Sequence, residues 1–432
     1  MKSIKQRRCH SGRPLQVWRL LEHGRVNTTL VMPFMRIDFS SYDASDAMQK
    51  TLREQFVRFF RPIRFVLSIL CCRIRCVKPK GRTRIVVERC HTVLLFVLFI
   101  VILSVILLQV TLHVQLSVRN LRASSSLVLT MFQAQGFVNL IFLLFWDRRN
   151  TAESLRQSLM STSTGVGVLR RRATLNNIHV AAMLYGCALS LLLVCYSVVQ
   201  LFTAHFPYPP VQPSSAHPYL KWACLGVLVY LSITFPAAYA QVASLTSIIT
   251  AEYRALNDDF ADDINTYQLP VAKHYVSAHW KLGNTFNLFK KSLSLWFSSH
   301  LMTSFMSSIF IWISLPPLRS FVKAFDSADF ERVFESAFAL LLFSLSIMQI
   351  CILLAACVML RFHLIRMRHP MIALIAGDRA LHEQTYPLAI AYINHLHRRH
   401  MGITFFGIAI IDRKFIVEVV LVLAIVATIL HS

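Results

Sequence analysis

Charge is scarce in this 432-residue chain: only 15% of its residues are Asp, Glu, Lys or Arg, against about a quarter in an ordinary soluble domain. That shortage argues against a soluble enzyme of one or two domains. Acidic residues are the scarcer sign, 21 against 45 Lys and Arg, which leaves a formal charge of +24. The chain also lacks a Gly/Pro-broken pair of apolar segments in matching halves, the mark of an inverted-repeat transporter. No apolar signal-peptide core precedes a small-residue cleavage site in the first 35 residues, so the first span is expected to direct insertion itself.

Apolar residues are abundant instead, 55% of the chain, with a mean hydropathy of +0.52. Several runs exceed 18 residues, enough to cross about 30 Å of hydrocarbon. Spans are expected near 92–112, 124–146, 178–203, 221–248, 292–314, 336–360 and 403–430. The first, VLLFVLFIVILSVILLQV, is the most apolar; the second and fifth carry more Ser, Thr and Gln. The fold class expected is an all-α membrane protein of seven helices, with 1–91 as a basic cytosolic N-terminal region and 92–432 as the transmembrane domain.

A strongly basic chain suggests nucleic acid, but these bases lie between apolar spans, where they orient a membrane protein. No nucleic-acid partner is expected. Across alternate loops, 37 Lys and Arg fall on one side and 6 on the other, and leaving out the long N-terminal region the ratio is still 17 to 6. The N-terminus is therefore expected in the cytosol and the C-terminus outside, opposite to a G-protein-coupled receptor. The third span ends without Asp/Glu-Arg-Tyr, the seventh has no Asn-Pro-x-x-Tyr, and the outer loops have no cysteine. With a cytosolic N-terminus the sequon Asn27-Thr28-Thr29 would stay unglycosylated.

His395, His397 and His400 (HLHRRH) are the one group with metal-like spacing. Arg398 and Arg399 oppose a bound cation and a four-ligand partner set is missing nearby, so a solvated basic loop is expected, with no metal, no cofactor and no catalysis. Cys71, Cys72 and Cys76 end a basic amphipathic stretch, FVRFFRPIRFVLSILCCRIRC. That stretch is expected on the inner membrane surface against lipid, with palmitoylated or simply reduced thiols.

His300, Ser304 and Ser308 fall on one face of the fifth span. An ionisable group at that depth faces protein or a water-filled cavity, so a ligand pocket and ordinary helix packing both fit. Tyr196 and Gln200 on the third span and Tyr230 on the fourth could line the same cavity. In the seventh region Asp412-Arg413-Lys414 interrupts GITFFGIAIIDRKFIVEVVLVLAIVATILHS. Three adjacent charges are unfavourable in hydrocarbon, so a short half-helix, a break and a second helix from about 414 are expected. Lys414 and Glu418, four apart, could pair; Glu418 could instead face a pore.

These residues resemble the arthropod gustatory receptor family, relatives of the insect odorant receptors. The resemblance rests on Tyr253-Arg254 with Leu256-Asn257 after the fourth span, on His279, Leu282 and Asn287 before the fifth, and on Phe405-Phe406 and Ile411-Asp412 near the end. The family's closing Thr-Tyr, five apolar residues and Gln-Phe are replaced here by Ala424-Ile425, Val426 to Leu430 and His431-Ser432. The apolar spacer is kept and all four signature residues differ.

The resemblance implies a multi-pass plasma-membrane receptor that is a ligand-gated cation channel, a homotetramer or heterotetramer with other receptor subunits. It implies a pore lined by each subunit's last helix and a small-molecule tastant bound in the outer half of the others. Carried over, the ligand residues would be Tyr196, Gln200, Tyr230, His300, Ser304 and Ser308. Val417, Val420, Ala424, Thr428 and His431 would line the pore. The alternative is a secondary transporter, for which only His300 and Glu418 could serve a mid-membrane site.

Overall fold

The computed structural model describes residues 42–70, 82–114, 121–161, 166–202, 217–264, 269–314, 330–377, 385–398 and 401–431. The chain divides into two compact units, Met1–Lys50 and Thr51–Ser432. Of the first, only the opening turns of a helix are described. Asn27, Cys71, Cys72, Cys76, His400 and the side chains of His395 and His397 lie outside the described residues.

The described residues are almost wholly helical: α1 (Tyr42–Ile69), α2 (Arg82–Val114), α3 (Leu121–Arg148), α4 (Thr151–Ser161), α5 (Val166–Arg170), α6 (Arg172–Phe202), α7 (His217–Ser232), α8 (Thr234–Ile264), α9 (Leu269–Ser314), α10 (Phe330–Arg366), α11 (Arg368–Gly377) and α12 (Thr385–Arg398). A two-residue hairpin, β1 (Thr404–Phe405) with β2 (Ala409–Ile410), precedes the last helix, α13 (Arg413–His431). Among the described residues five stretches are long and apolar enough to cross a membrane: Cys90–Leu108, Leu127–Arg148, Arg172–Cys195, Trp222–Asp263 and Ser336–Ile372.

The helices overrun the expected spans. At about 1.5 Å per residue, the 46 residues of α9 reach about 69 Å, more than twice the hydrocarbon thickness. The expected loops 249–291 and 361–402 are therefore largely helix, the ends of α8 and α10, the start of α9, and α11 and α12. Hydropathy marks where a helix leaves lipid, not where it ends. The extensions close on a core of their own: Leu256 and Phe260 of α8, Tyr275 of α9, Met371 of α11, and Tyr392 and Leu396 of α12.

The resemblance motif sits in those extensions. Asn257 Nδ2 donates to the carbonyl of His363 at 2.8 Å, and His279 Nε2 lies 3.1 Å from that of Leu364. The His279 ring stands edge-on to Tyr253 and Tyr392. Burial pushes the Tyr392 hydroxyl well above the ordinary tyrosine range, so it stays protonated. Nearby, Glu252 is buried and accepts the backbone N–H of Val168 at 2.8 Å, which ties α5 to α8.

The fourth span is interrupted at Ile233, between α7 and α8. Pro236 has no N–H for the carbonyl of Ser232 four residues back, and Ser190 Oγ of α6 donates to that carbonyl at 2.6 Å. The backbones of α6 and α8 meet there at Gly186, where a Cβ would stand 2.6 Å from Pro236 Cα. Small residues permit such approaches between membrane helices.

The basic amphipathic stretch packs on protein: Phe56, Phe59, Phe60, Ile63 and Leu67 are buried in the main core, while Val57, Phe65 and Ile69 are exposed. Gln55 Nε2 donates to Asn176 Oδ1 of α6 at 2.7 Å. The periodicity of an apolar face does not say whether lipid or protein covers it. The larger compact unit begins at Thr51 and so includes this stretch. One expectation is corrected: no half-helix precedes the break, because 403–411 is the β-hairpin. Phe406 and Gly407 take positive φ, 47° and 78°, and the N–H of Ile408 returns to the carbonyl of Phe405 at 2.9 Å. That is the left-handed tight turn that suits a twisted hairpin.

Candidate ligand site and last helix

The fifth-span face expected from its spacing is buried as a unit: His300 and Ser304 are fully buried and Ser308 nearly so. Ser308 Oγ donates to the Ser304 carbonyl at 2.9 Å. His300 stacks on Trp296, ring centroids 3.9 Å apart, and Tyr239 of α8 stands edge-on to both. Tyr185 of α6 meets Tyr239 edge-on in turn.

His300 Nδ1 lies 3.0 Å from the Trp296 carbonyl. A carbonyl only accepts, so Nδ1 carries the proton and Nε2 is left as an acceptor. Among the described residues no group meets Nε2, nor the hydroxyls of Tyr239 and Tyr185. Unpartnered polar atoms at this burial are uncommon in folded proteins. Below them, Trp296 Nε1 donates to Asn139 Oδ1 of α3 at 2.8 Å, and Gln135 donates to Thr303 and, at 3.4 Å, to Ser304. Gln349 of α10 closes the network on Gln135 at 3.3 Å.

Of the other expected ligand residues, Tyr230 is half-buried and its hydroxyl donates to the Leu70 carbonyl at 3.0 Å. It ties α7 to the end of α1. The side chains of Tyr196 and Gln200 lie outside the described residues. Trp296, Tyr239, Tyr185, Gln135 and Asn139 were missed as site residues. Gln135 and Asn139, amides four apart within an apolar span, were the signal that could have found them.

The last helix begins where the charges interrupt the apolar run. Asp412 caps it: Phe415 N–H donates to Asp412 Oδ1 at 2.9 Å, and Ile416 N–H to the Asp412 carbonyl at 3.1 Å. This is the N-cap arrangement. The other carboxylate oxygen pairs with Arg361 of α10. The hairpin is held by α9, with Ser294 Oγ accepting the N–H of Thr404 at 3.0 Å and Ser298 Oγ that of Phe406 at 2.8 Å.

Beyond its first turn α13 stands away from the bundle. Phe415 and Ile416 pack on the core, but Val417, Val420, Leu421, Val422 and Ile425 are all exposed, Val417 by 67%. Ala424 and Thr428 are exposed too, and the His431 side chain lies outside the described residues. Lys414 and Glu418 make the expected i,i+4 pair at 3.7 Å, and the Glu418 side chain is 58% exposed.

The fold is similar to that of an insect olfactory receptor. Two structures of the olfactory receptor OR5 from Machilis hrabei, one in complex with eugenol, align at 13% identity over 88% of this chain and 98% of theirs. Their TM-scores are 0.56 for the eugenol complex and 0.58 for the other. No family model matches the chain, and no curated protein does.

Proposed function

We propose that this chain is a subunit of a chemosensory, ligand-gated, non-selective cation channel. The observation that carries this reading is the state of α13. Glu418 lies one turn into an apolar helix, on a side its own bundle leaves uncovered. An ionisable group there needs protein or water rather than hydrocarbon. Assembly of copies around their last helices supplies both, with the carboxylates attracting cations at the entrance. The fold of an insect olfactory receptor supports the same reading. So does the resemblance to gustatory receptors, which supplies a tetramer, homomeric or heteromeric, in the plasma membrane with a cytosolic N-terminus, an outer C-terminus and seven spans.

The tastant is placed at the His300–Tyr239–Trp296 cluster. His300 Nε2 offers an acceptor, the tyrosine hydroxyls offer donors, and Trp296 offers a ring face. That set suits a small hydroxylated compound. The polar atoms are closed to solvent, so the ligand enters by displacing side chains, and its binding shifts the population from closed to open. Val417, Val420, Ala424, Thr428 and His431 then line the open passage.

The test begins with topology. A C-terminal tag stained on intact cells, with the N-terminal tag stained only after permeabilisation, is expected; a hidden C-terminal tag removes the pore assignment. Patch recording with small hydroxylated compounds then separates channel from carrier. Unitary current steps support the channel, and smooth stoichiometric uptake without steps supports a transporter.

A further inference from the structure

Away from both the buried cluster and α13, a groove of 260 Å³ runs between the start of α6, the middle of α8 and the end of α10. Its polar rim is Arg171, Thr174, Thr250, Arg254 and His363, and its apolar side includes Ile178 and Met359. The rim carries an unbalanced positive charge. Asp258 is approached by three guanidiniums, Arg366 at 3.3 Å, Arg254 at 3.8 Å and Arg171 at 3.9 Å, while Asp259 is taken by Arg170 at 2.5 Å. Burial first, and then the neighbouring charge of Arg254, holds the Arg171 guanidinium below its ordinary value. Asp258 already offsets part of that repulsion, and a further anion between these two arginines would offset more of it.

The groove opens onto an apolar surface. Ile178 and Met359 are exposed, and the stripe continues along the Met359 face of α10 through Ile352 and Met348. The apolar stretch of α6 begins at Arg172, so Arg171 stands where the chain enters the hydrocarbon. A phosphate there and acyl chains on the stripe match the two ends of one amphipathic molecule. A soluble anion would leave the stripe unused.

We propose that this groove binds an anionic phospholipid, its phosphate held between Arg171 and Arg254 and its acyl chains past Ile178 and along α10. The site depends on the chain spanning a membrane and is independent of the channel reading. Phosphate beside paired guanidiniums makes charge-assisted, often bidentate hydrogen bonds, and Thr174 adds a hydroxyl donor, whereas the Thr250 hydroxyl already donates to the Thr246 carbonyl at 2.7 Å.

The test is native mass spectrometry of the purified full chain released from detergent. The probes are phosphatidic acid, phosphatidylcholine with the same acyl chains, and soluble glycerol phosphate. Retention of phosphatidic acid over phosphatidylcholine is expected, with no displacement by equal glycerol phosphate. Arg171→Gln with Arg254→Gln is expected to weaken retention about thirtyfold, and the double lysine variant to keep it within a few-fold. Lys291→Gln, an exposed base outside the groove, is expected to change nothing. Equal retention of the two lipids, displacement by glycerol phosphate, or undiminished binding by the double glutamine variant overturns the proposal. Should that variant fail to fold, loss of the wild-type preference at about 0.5 M salt, where exposed charges are screened, decides: a preference that persists there refutes the arginine–phosphate contact.

Discussion

Asp412 performs two tasks that substitution can separate. One carboxylate oxygen caps α13 and the other pairs with Arg361. Asp412→Asn keeps a good cap and loses the ion pair; Asp412→Ala loses both. The cap contributes about 1 kcal/mol. The paired side chains are 26% and 27% exposed, between a surface pair, worth up to about 1 kcal/mol, and a buried one, whose breakage costs about 3–5 kcal/mol. We take about 1–2 kcal/mol. Hydrogen exchange of the amides from Phe415 to Val419, in the full chain in lipid nanodiscs, reads local opening of that turn. Exchange is expected about tenfold faster in Asp412→Asn and in Arg361→Gln, and about a hundredfold faster in Asp412→Ala. The double variant Asp412→Asn with Arg361→Gln should be little faster than either single. Additive effects in the double variant would refute the pairing, and equal rates for Asn and Ala would refute the cap.

Gly186→Val forces a branched side chain into the backbone of Pro236 and is expected to lower the thermal midpoint in detergent, by about 1–3 kcal/mol of overpacking or more; an unchanged midpoint would mean α6 and α8 do not meet there. Asn139→Leu leaves the buried N–H of Trp296 without its acceptor and should cost about 1–3 kcal/mol, while Asn139→Asp, an acceptor at the same place, brings a buried charge and should cost more. Glu252→Leu removes the acceptor for the Val168 amide, again at about 1–3 kcal/mol, whereas Glu252→Gln keeps an acceptor and should be milder; equal midpoints for the two would deny that bond. Glu418→Gln should leave the midpoint near wild type, because the side chain is exposed, and should reduce cation selectivity in patch recordings of any active channel. Unaltered reversal potentials in mixed salts would remove Glu418 from the pore.

Composition and hydropathy were enough to establish an all-helical chain with several membrane-length apolar stretches, because expelling apolar surface from water depends on residue type more than on partners. The spacing of His300, Ser304 and Ser308 was likewise sufficient to put them on one buried face. The charge triplet at Asp412 already required a break, since its cost in hydrocarbon is local. Tertiary structure decided the rest. Whether Phe56, Phe59 and Ile63 meet lipid or protein depends on which helix arrives beside them, and periodicity is the same in both cases. The lengths of α8, α9 and α10 depend on mutual packing beyond the membrane, where hydropathy falls silent. The use of Tyr239 and Asn139 around the Trp296–His300 pair, and of Arg361 beside Asp412, joins residues tens to more than a hundred positions apart, and only the fold brings them into contact.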